Sequence, residues 1–526
     1  MGFIIIFALL LTAVNSTGLI TGILSRPPDT VYLGMIHYYQ DYFFYVNHFF
    51  QGAHGAWLTA NRYTSEVTPP SIFYWINILM GKIGGLIGLS PIASYHTSLI
   101  VLTILIIFTV YLLLARMFPK SKIQAFIGFV FAFLSTSLMN HIYVDGKPMW
   151  YPFQLWRTPH FALLDRLASI PHQIFQTLLF LLLTMMCFTQ GTAHRRTKLI
   201  LIGILAFSLT SNNPIQAIIF LAAFIATQGV AYIQKKPLPF NRLLVLFLVT
   251  ACTFVYINLL SETLPHSQAR AWEGRQQTIT SPAFLLLSIG PISILYLLGI
   301  IPSLLSGNAI FIFAIILTLG TYGLFLSNIP QAIGVSDLRF IFPALYPFMG
   351  AIAVNGVVLI AKKLAKIIPT MTTITIVMLL FILISLPTLY WEIQQKIQSQ
   401  TNTKDQIIYL PSPIYDMFMA LGTIGGYNDV VLANPNTNMD LLVPALSGHT
   451  TYSGHMLLTI RSEEKQLFGS QFFSLNKPDA ESWIKANNIR YVLFTSLDGD
   501  IKRFIQTYPF LKIYKMFEDS AAIFAL

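Results

Sequence analysis

Long charge-free apolar runs separated by short basic loops set the pattern of the first 390 residues. Segments 98–114, 199–209, 243–260 and 373–386 carry no charged side chain. With their flanks, most such runs reach the roughly 20 residues that take a helix across about 30 Å of hydrocarbon. The pattern predicts eleven spans, near 2–24, 95–117, 123–140, 172–190, 198–211, 214–233, 243–261, 284–305, 308–326, 341–361 and 368–390. The first has no basic n-region and a long apolar stretch, so it reads as a retained helix and not a cleaved signal.

Lys and Arg gather in the loops 116–122, 194–198, 234–242 and 362–366. With this count every such loop falls on one side, which the positive-inside rule makes cytoplasmic. The N-terminus is then cytoplasmic, and the long loops 25–94, 141–171, 262–283 and 327–340, with everything after Trp391, face outward at the plasma membrane. Past Trp391 the charge density rises, and short β-like runs at 430–432, 491–494 and 522–526 alternate with helical stretches at 478–487 and 498–508. Asn487, Asn488 and Gly499 read as stops. The expected organisation is a transmembrane domain over 1–390, including the outer loop 25–94, and a small extracytoplasmic α/β domain over 391–526.

Composition agrees: 55% of residues are hydrophobic and 10% charged, against ~25% charged in an average soluble protein. The net charge of +11 sits largely in the interhelical loops, where it orients the chain, so no nucleic-acid partner is expected. Cys187 and Cys252 lie within apolar spans, which argues against a disulfide or a thiolate metal site.

The outer loops hold more chemistry than connections need. Segments 38–50 and 72–89 suit interfacial helices. Asp41, in HYYQDYFFY, is a carboxylate among aromatics, where desolvation raises basicity; its plainer reading is a helix-cap or solvated aspartate. Glu66, in NRYTSEVTPPS, offers a second acid, a metal ligand or a partner for Arg62 at i,i+4. His48 and His54 share this loop and with the two carboxylates could ligate a divalent cation, although no defined metal spacing is present. Arg157, His160, Arg166 and His172 form a cationic group among Trp150, Tyr151 and Trp156, and Arg339 lies in SDLRF. Guanidinium forks match phosphate oxygens, while single arginines also anchor at headgroups. Asn212, Asn213 and Pro214 read as a structural turn.

HYYQDYFFY, RYTSEVTPPS, LLDRLASIPHQ, SDLRFIFPALYPF and the tail VLANPNTNMDLLVPALSGHTTYSGHMLLTIRSEEK, set in this architecture, resemble the GT-C superfamily of membrane glycosyltransferases, and the tail is similar to that of large bacterial members. Where the protein O-mannosyltransferases carry an acidic pair, this chain has Gln40 before Asp41. The resemblance implies a sugar donor carried on a polyprenyl phosphate and a glycan, lipid or protein acceptor. It further implies Asp41 as the base, with Glu66 as the other catalytic candidate, and arginines on the leaving phosphate. The alternative is a non-catalytic transporter or flippase of lipid-linked saccharide, using the same surfaces for binding alone.

Overall fold

The computed structural model describes residues 2–154, 161–167, 170–189, 195–278 and 280–526. The chain folds as two compact units. One holds Met1–Asn15, Leu99–Leu259 and Glu273–Gln395, and the other Ser16–Ser98, Leu260–Trp272 and Lys396–Leu526. The first outer loop therefore groups with the C-terminal residues, a division that differs from the expected boundary at 390.

The first unit is almost wholly helical. Across the described chain, Pro91–Met117, Pro214–Ile233, Phe240–Ser261, Leu345–Leu364 and Thr370–Gln398 are long and apolar enough to cross a membrane. Two broken pairs, Gly2–Asn15 with Thr17–Leu24 and Pro282–Ile289 with Ile292–Leu305, bring the number to seven if each is one span. Lys122–Leu134, Pro171–Cys187 and Ala309–Phe325 are apolar but shorter. This is a multi-pass membrane protein. Length and composition support five to seven crossings among the described residues, fewer than the eleven expected.

The shortfall has local causes. The predicted span 284–305 bends by 99° at Gly290–Pro291, where Gly290 takes φ +84° and a side chain would strike the Thr136 carbonyl. The predicted span 123–140 stops at Leu134, and from Met139 the chain is a β-hairpin, Met139–Val144 against Lys147–Pro152. Its turn, Asp145–Gly146, has positive φ at both residues, as two-residue hairpin turns demand. Elsewhere Gly299 and Gly356 bring the helices Ile292–Leu305 and Leu345–Leu364 so close that a Cβ at either would collide with backbone of the other. Such small residues are how helices without a hydrophobic driving force gain packing contact.

The second unit is mixed. Its five-stranded sheet runs in the order Thr450–Thr451, Val430–Leu432, Ile489–Thr495, Ala521–Ala525, Lys512–Phe517. The first three strands are parallel, and Ala521–Ala525 is antiparallel to both its neighbours. Helices Ala480–Ala486 and Ile501–Thr507 join Ser462–Phe473 over a core that includes Leu432, Phe472, Ile484, Val492, Phe504 and Phe524. Gly499, read as a stop, lies just before the helix Ile501–Thr507, which Asp500 caps by accepting the Lys502 N–H at 2.9 Å. The loop's helices, Tyr39–Ala53 and Trp75–Leu86, pack through Gly52 and Gly81, where a Cβ would meet Ile78 and Phe49 backbone. Residues 42–52 are buried without a break, unlike the one-sided face of an interfacial helix.

Candidate active site

Residues 61–64 of the first loop are stitched to the C-terminal part of the same unit. Asn61 Nδ2 donates to the Leu458 carbonyl at 2.9 Å, and Thr451 N–H donates to the Arg62 carbonyl at 2.9 Å. Thr459 Oγ1 donates to the Tyr63 carbonyl at 2.6 Å, and Ile460 N–H to Thr64 Oγ1 at 3.1 Å. Arg62 Nη1 reaches the Tyr427 carbonyl at 2.9 Å and Thr450 Oγ1 at 3.2 Å. Buried backbone groups demand such partners, and here nearly all come from residues almost 400 positions away.

Asp41 lies in the first turn of Tyr39–Ala53, where a carboxylate complements the positive end of the helix. Tyr42, Phe43 and Phe44 turn inward and are buried, leaving the Asp41 side chain 44% exposed. The desolvated setting expected from its aromatic neighbours is thus taken up by those neighbours themselves. Asp41 Oδ1 stands 3.3 Å from His455 Nε2. His455 Nδ1 accepts the Leu457 N–H at 3.2 Å, so the neutral ring carries its proton on Nε2 and donates it to Asp41. Nearby, His37 is enclosed by Tyr42, Tyr45 and Tyr95. Burial pushes it down to about 4, although the charge of Asp41 opposes the shift.

Glu66 is held differently. Lys465 Nζ donates to Oε2 at 2.5 Å, Thr64 Oγ1 donates to the same oxygen, and Arg461 Nη2 reaches Oε1 at 3.4 Å. Lys465, 2% exposed, also donates to Ser65 Oγ at 2.8 Å and lies 4.9 Å over the Tyr452 ring. Partial burial pushes the Glu66 carboxyl up, but hydrogen bonds from Lys465 and Thr64 and the Lys465 charge outweigh it, and Glu66 falls below the ordinary carboxylate range. The Arg62–Glu66 pair, one of the readings open for Glu66, is not the one used, because 61–66 is not helical and both side chains find partners in the C-terminal segment.

Arg166 and His172 are the members of the cationic group among the described residues. Arg157 and His160 lie outside the described residues. Arg166 is 6% exposed and donates to the Phe161 carbonyl at 3.1 Å, to the Ser135 carbonyl, and to that of Phe133 at 3.5 Å, with its guanidinium 3.7 Å over the Tyr346 ring. A fork turned onto main-chain carbonyls suits holding a segment in place better than binding a phosphate. The same segment is tied from its other side by Glu392, which accepts Leu163 N–H at 2.9 Å and Leu164 N–H at 2.7 Å. His172 is buried at the start of Pro171–Cys187. Arg339 is 48% exposed and grips Glu273 with Nε and, at 2.7 Å, Nη2, the two-pronged geometry expected of it but on a carboxylate of the chain.

His48 is buried against Phe44 and stacked with Tyr74, and His54 stacks on Phe50 with Nδ1 2.8 Å from the Phe50 carbonyl. Neither joins Asp41 or Glu66 in a metal-binding group, and among the described residues no cluster of three or more His, Cys, Asp or Glu could hold an ion. Sequence reasoning missed His455 and Lys465. Both lie in the tail segment that carries the resemblance, in GHM and SEEK, but nothing local pairs them with the first loop.

The fold is similar to that of an archaeal oligosaccharyltransferase. The chain superposes on the oligosaccharyltransferase AglB from Archaeoglobus fulgidus in complex with an inhibitory peptide and a dolichol-phosphate, with TM-score 0.50 and 13% identity over 93% of this chain and 69% of that one. The same enzyme tethered to an acceptor peptide gives TM-score 0.51 and 12% identity over 93% and 69%. ArnT from Cupriavidus metallidurans bound to undecaprenyl phosphate matches 99% of this chain and 98% of its own at 12% identity, with a lower TM-score of 0.49. No protein-family model and no curated protein matches the sequence.

Proposed function

We propose that this chain is an inverting glycosyltransferase that moves a sugar from a polyprenyl-phosphate donor to an acceptor hydroxyl at the outer face of the plasma membrane. The observation that carries this reading is the half-exposed Asp41 oriented by His455 within a fold shared with an enzyme solved in complex with a dolichol-phosphate. Asp41 accepts the proton of the acceptor hydroxyl as its oxygen attacks the anomeric carbon. The bond from that carbon to the phosphate oxygen breaks in the same displacement, and its electron pair leaves with the polyprenyl phosphate. One displacement inverts the centre. Neutral His455 holds the carboxylate in place through its Nε2–H, and Glu66, engaged by Lys465, positions the loop instead of taking the proton. Arg339, 48% exposed and paired with Glu273, is the arginine assigned to exchange its carboxylate for a phosphate.

Membranes containing the protein, supplied with a panel of radiolabelled polyprenyl-phosphate sugars, should consume at least one donor and transfer its sugar. Asp41→Asn should abolish transfer while donor binding persists. A protein that binds these lipids yet neither consumes nor transfers from any of them is not a transferase, and the binding-only reading takes its place.

A further inference from the structure

Next to Asp41 the second unit opens a cleft of about 440 Å³ lined by Tyr39, Gln40, Asn436, Asn438, Gln466 and Ser470, within the ~300–1,000 Å³ typical of small-molecule sites. Tyr39 and Gln40 are the two residues before Asp41, so the cleft and the carboxylate share one helical turn.

The cleft is built, not incidental. Its Asn436–Asn438 wall is fixed by Asp498, which accepts from Asn434 Nδ2 at 2.8 Å and Thr437 Oγ1 at 2.9 Å through Oδ1, and from the Thr495 N–H and Oγ1 at 2.8 Å through Oδ2. Asn438 takes φ +58°, a left-handed conformation that asparagine tolerates better than most residues. The opposite wall is one face of Ser462–Phe473, with Glu463, Gln466 and Ser470 at helical spacing. Ser470 Oγ donates to Asn436 Oδ1 at 2.9 Å and joins the two walls. Gln40 Oε1 is out of contact with solvent and accepts no hydrogen bond from any described residue, a deficit that costs about 1–3 kcal/mol when left unmet.

Amides and hydroxyls donate and accept at once, as sugar hydroxyls do, and a tyrosine ring offers an apolar face to the C–H side of a pyranose. No lysine or arginine is among the described lining residues, and their one charge is the Glu463 carboxylate, which repels anions. We infer that this cleft binds a neutral saccharide, and that the acceptor is therefore a glycan that enters beside Asp41. The acceptor role rests on the transferase reading; the binding does not.

The test uses the full-length protein in nanodiscs and measures binding of maltohexaose, α-1,6-mannohexaose and cellohexaose, beside a heparin hexasaccharide and a threonine-rich hexapeptide. At least one neutral hexasaccharide should bind, and Tyr39→Ala and Gln466→Ala should each weaken it about tenfold, the loss of roughly one good contact. Gln466 is partly exposed on its helix, so that variant carries the test if Tyr39→Ala does not fold. Failure of all three neutral sugars to bind, binding that ignores both substitutions, or tighter binding of the peptide or the acidic sugar at the cleft would overturn the inference. Cleft-dependent sugar binding by a protein that consumes no donor would keep the inference and end the transferase reading; donor-dependent transfer by a protein that binds no saccharide would do the reverse.

Discussion

Asp41 and Glu66 stand 25 positions apart in one loop, and the same C-terminal segment supplies partners to both, yet the two carboxylates are left in opposite conditions. Asp41 keeps 44% of its side chain exposed and meets the neutral donor His455, whereas Glu66 keeps 29% and is gripped by Lys465, Thr64 and Arg461. A carboxylate bound to a buried ammonium is a poor proton acceptor, because protonation would strand the cation. The contact of Asp41 with a neutral imidazole strands no cation when the carboxylate takes a proton. Exposure and partner, more than residue type or distance from the first span, separate a base from a latch.

The comparison fails first if Asp41→Asn transfers sugar normally. The expected loss is ~10²–10⁴-fold in rate, the usual contribution of a positioned base, with unchanged unfolding temperature. Glu66→Gln should act on stability instead, lowering it by roughly 1–3 kcal/mol, short of the ~3–5 of a fully buried pair because Glu66 is partly wet. The sign with pH is fixed by the lowered Glu66 pKa. Its stabilisation is complete above the unfolded value of about 4.3 and is lost as pH falls through the lower folded value, so wild type and Glu66→Gln should converge in acid unfolding curves. His455→Asn should sharpen the contrast with a fall in kcat of about tenfold at nearly constant KM, the mark of a positioning residue; a change confined to KM would place His455 in substrate binding.

The smallest expected effect concerns Asp440, buried behind the loop junction. Burial holds its carboxyl well above the ordinary range, although the Leu441 N–H and Ser453 Oγ donate to it at 2.9 and 3.5 Å. A raised folded value means stability is lost as pH climbs from the unfolded value toward the folded one. Asp440→Asn should therefore raise the unfolding temperature at pH 7, by the equivalent of about 1 kcal/mol or less, and the gain should shrink towards pH 4.

Much of the fold was legible because its causes are local. Charge-free runs mark the long helices, and the apolar β-branched run Val430–Leu432 is a strand over the very residues expected. Where a second force intervened, the reading slipped: Gly290 and Pro291 break an apolar run that hydropathy alone passes over, and the Ser135–Ser137 stretch ends a helix that composition would carry to residue 140. Asp41 and Glu66 could be singled out as acids in an aromatic, proline-bounded loop, but their inequality could not. It depends on His455 and Lys465, 414 and 399 positions away, and no pattern within a window encodes a contact at that range. Arg166 misled for the same reason, since its carbonyl partners at Ser135 and Phe133 lie beyond its own loop.

That separation has a consequence for biogenesis. A ribosome adding about 5–20 residues per second needs roughly 20–80 s after Asp41 to make its partner 414 residues on. Throughout that interval the first loop has no carbonyl-capping strand and no imidazole to meet, while apolar helices made later are already entering the bilayer. The junction at 61–66 therefore closes only once residues 451–465 have been made, and a nascent chain arrested before residue 450 should display this loop to proteases that the finished protein resists.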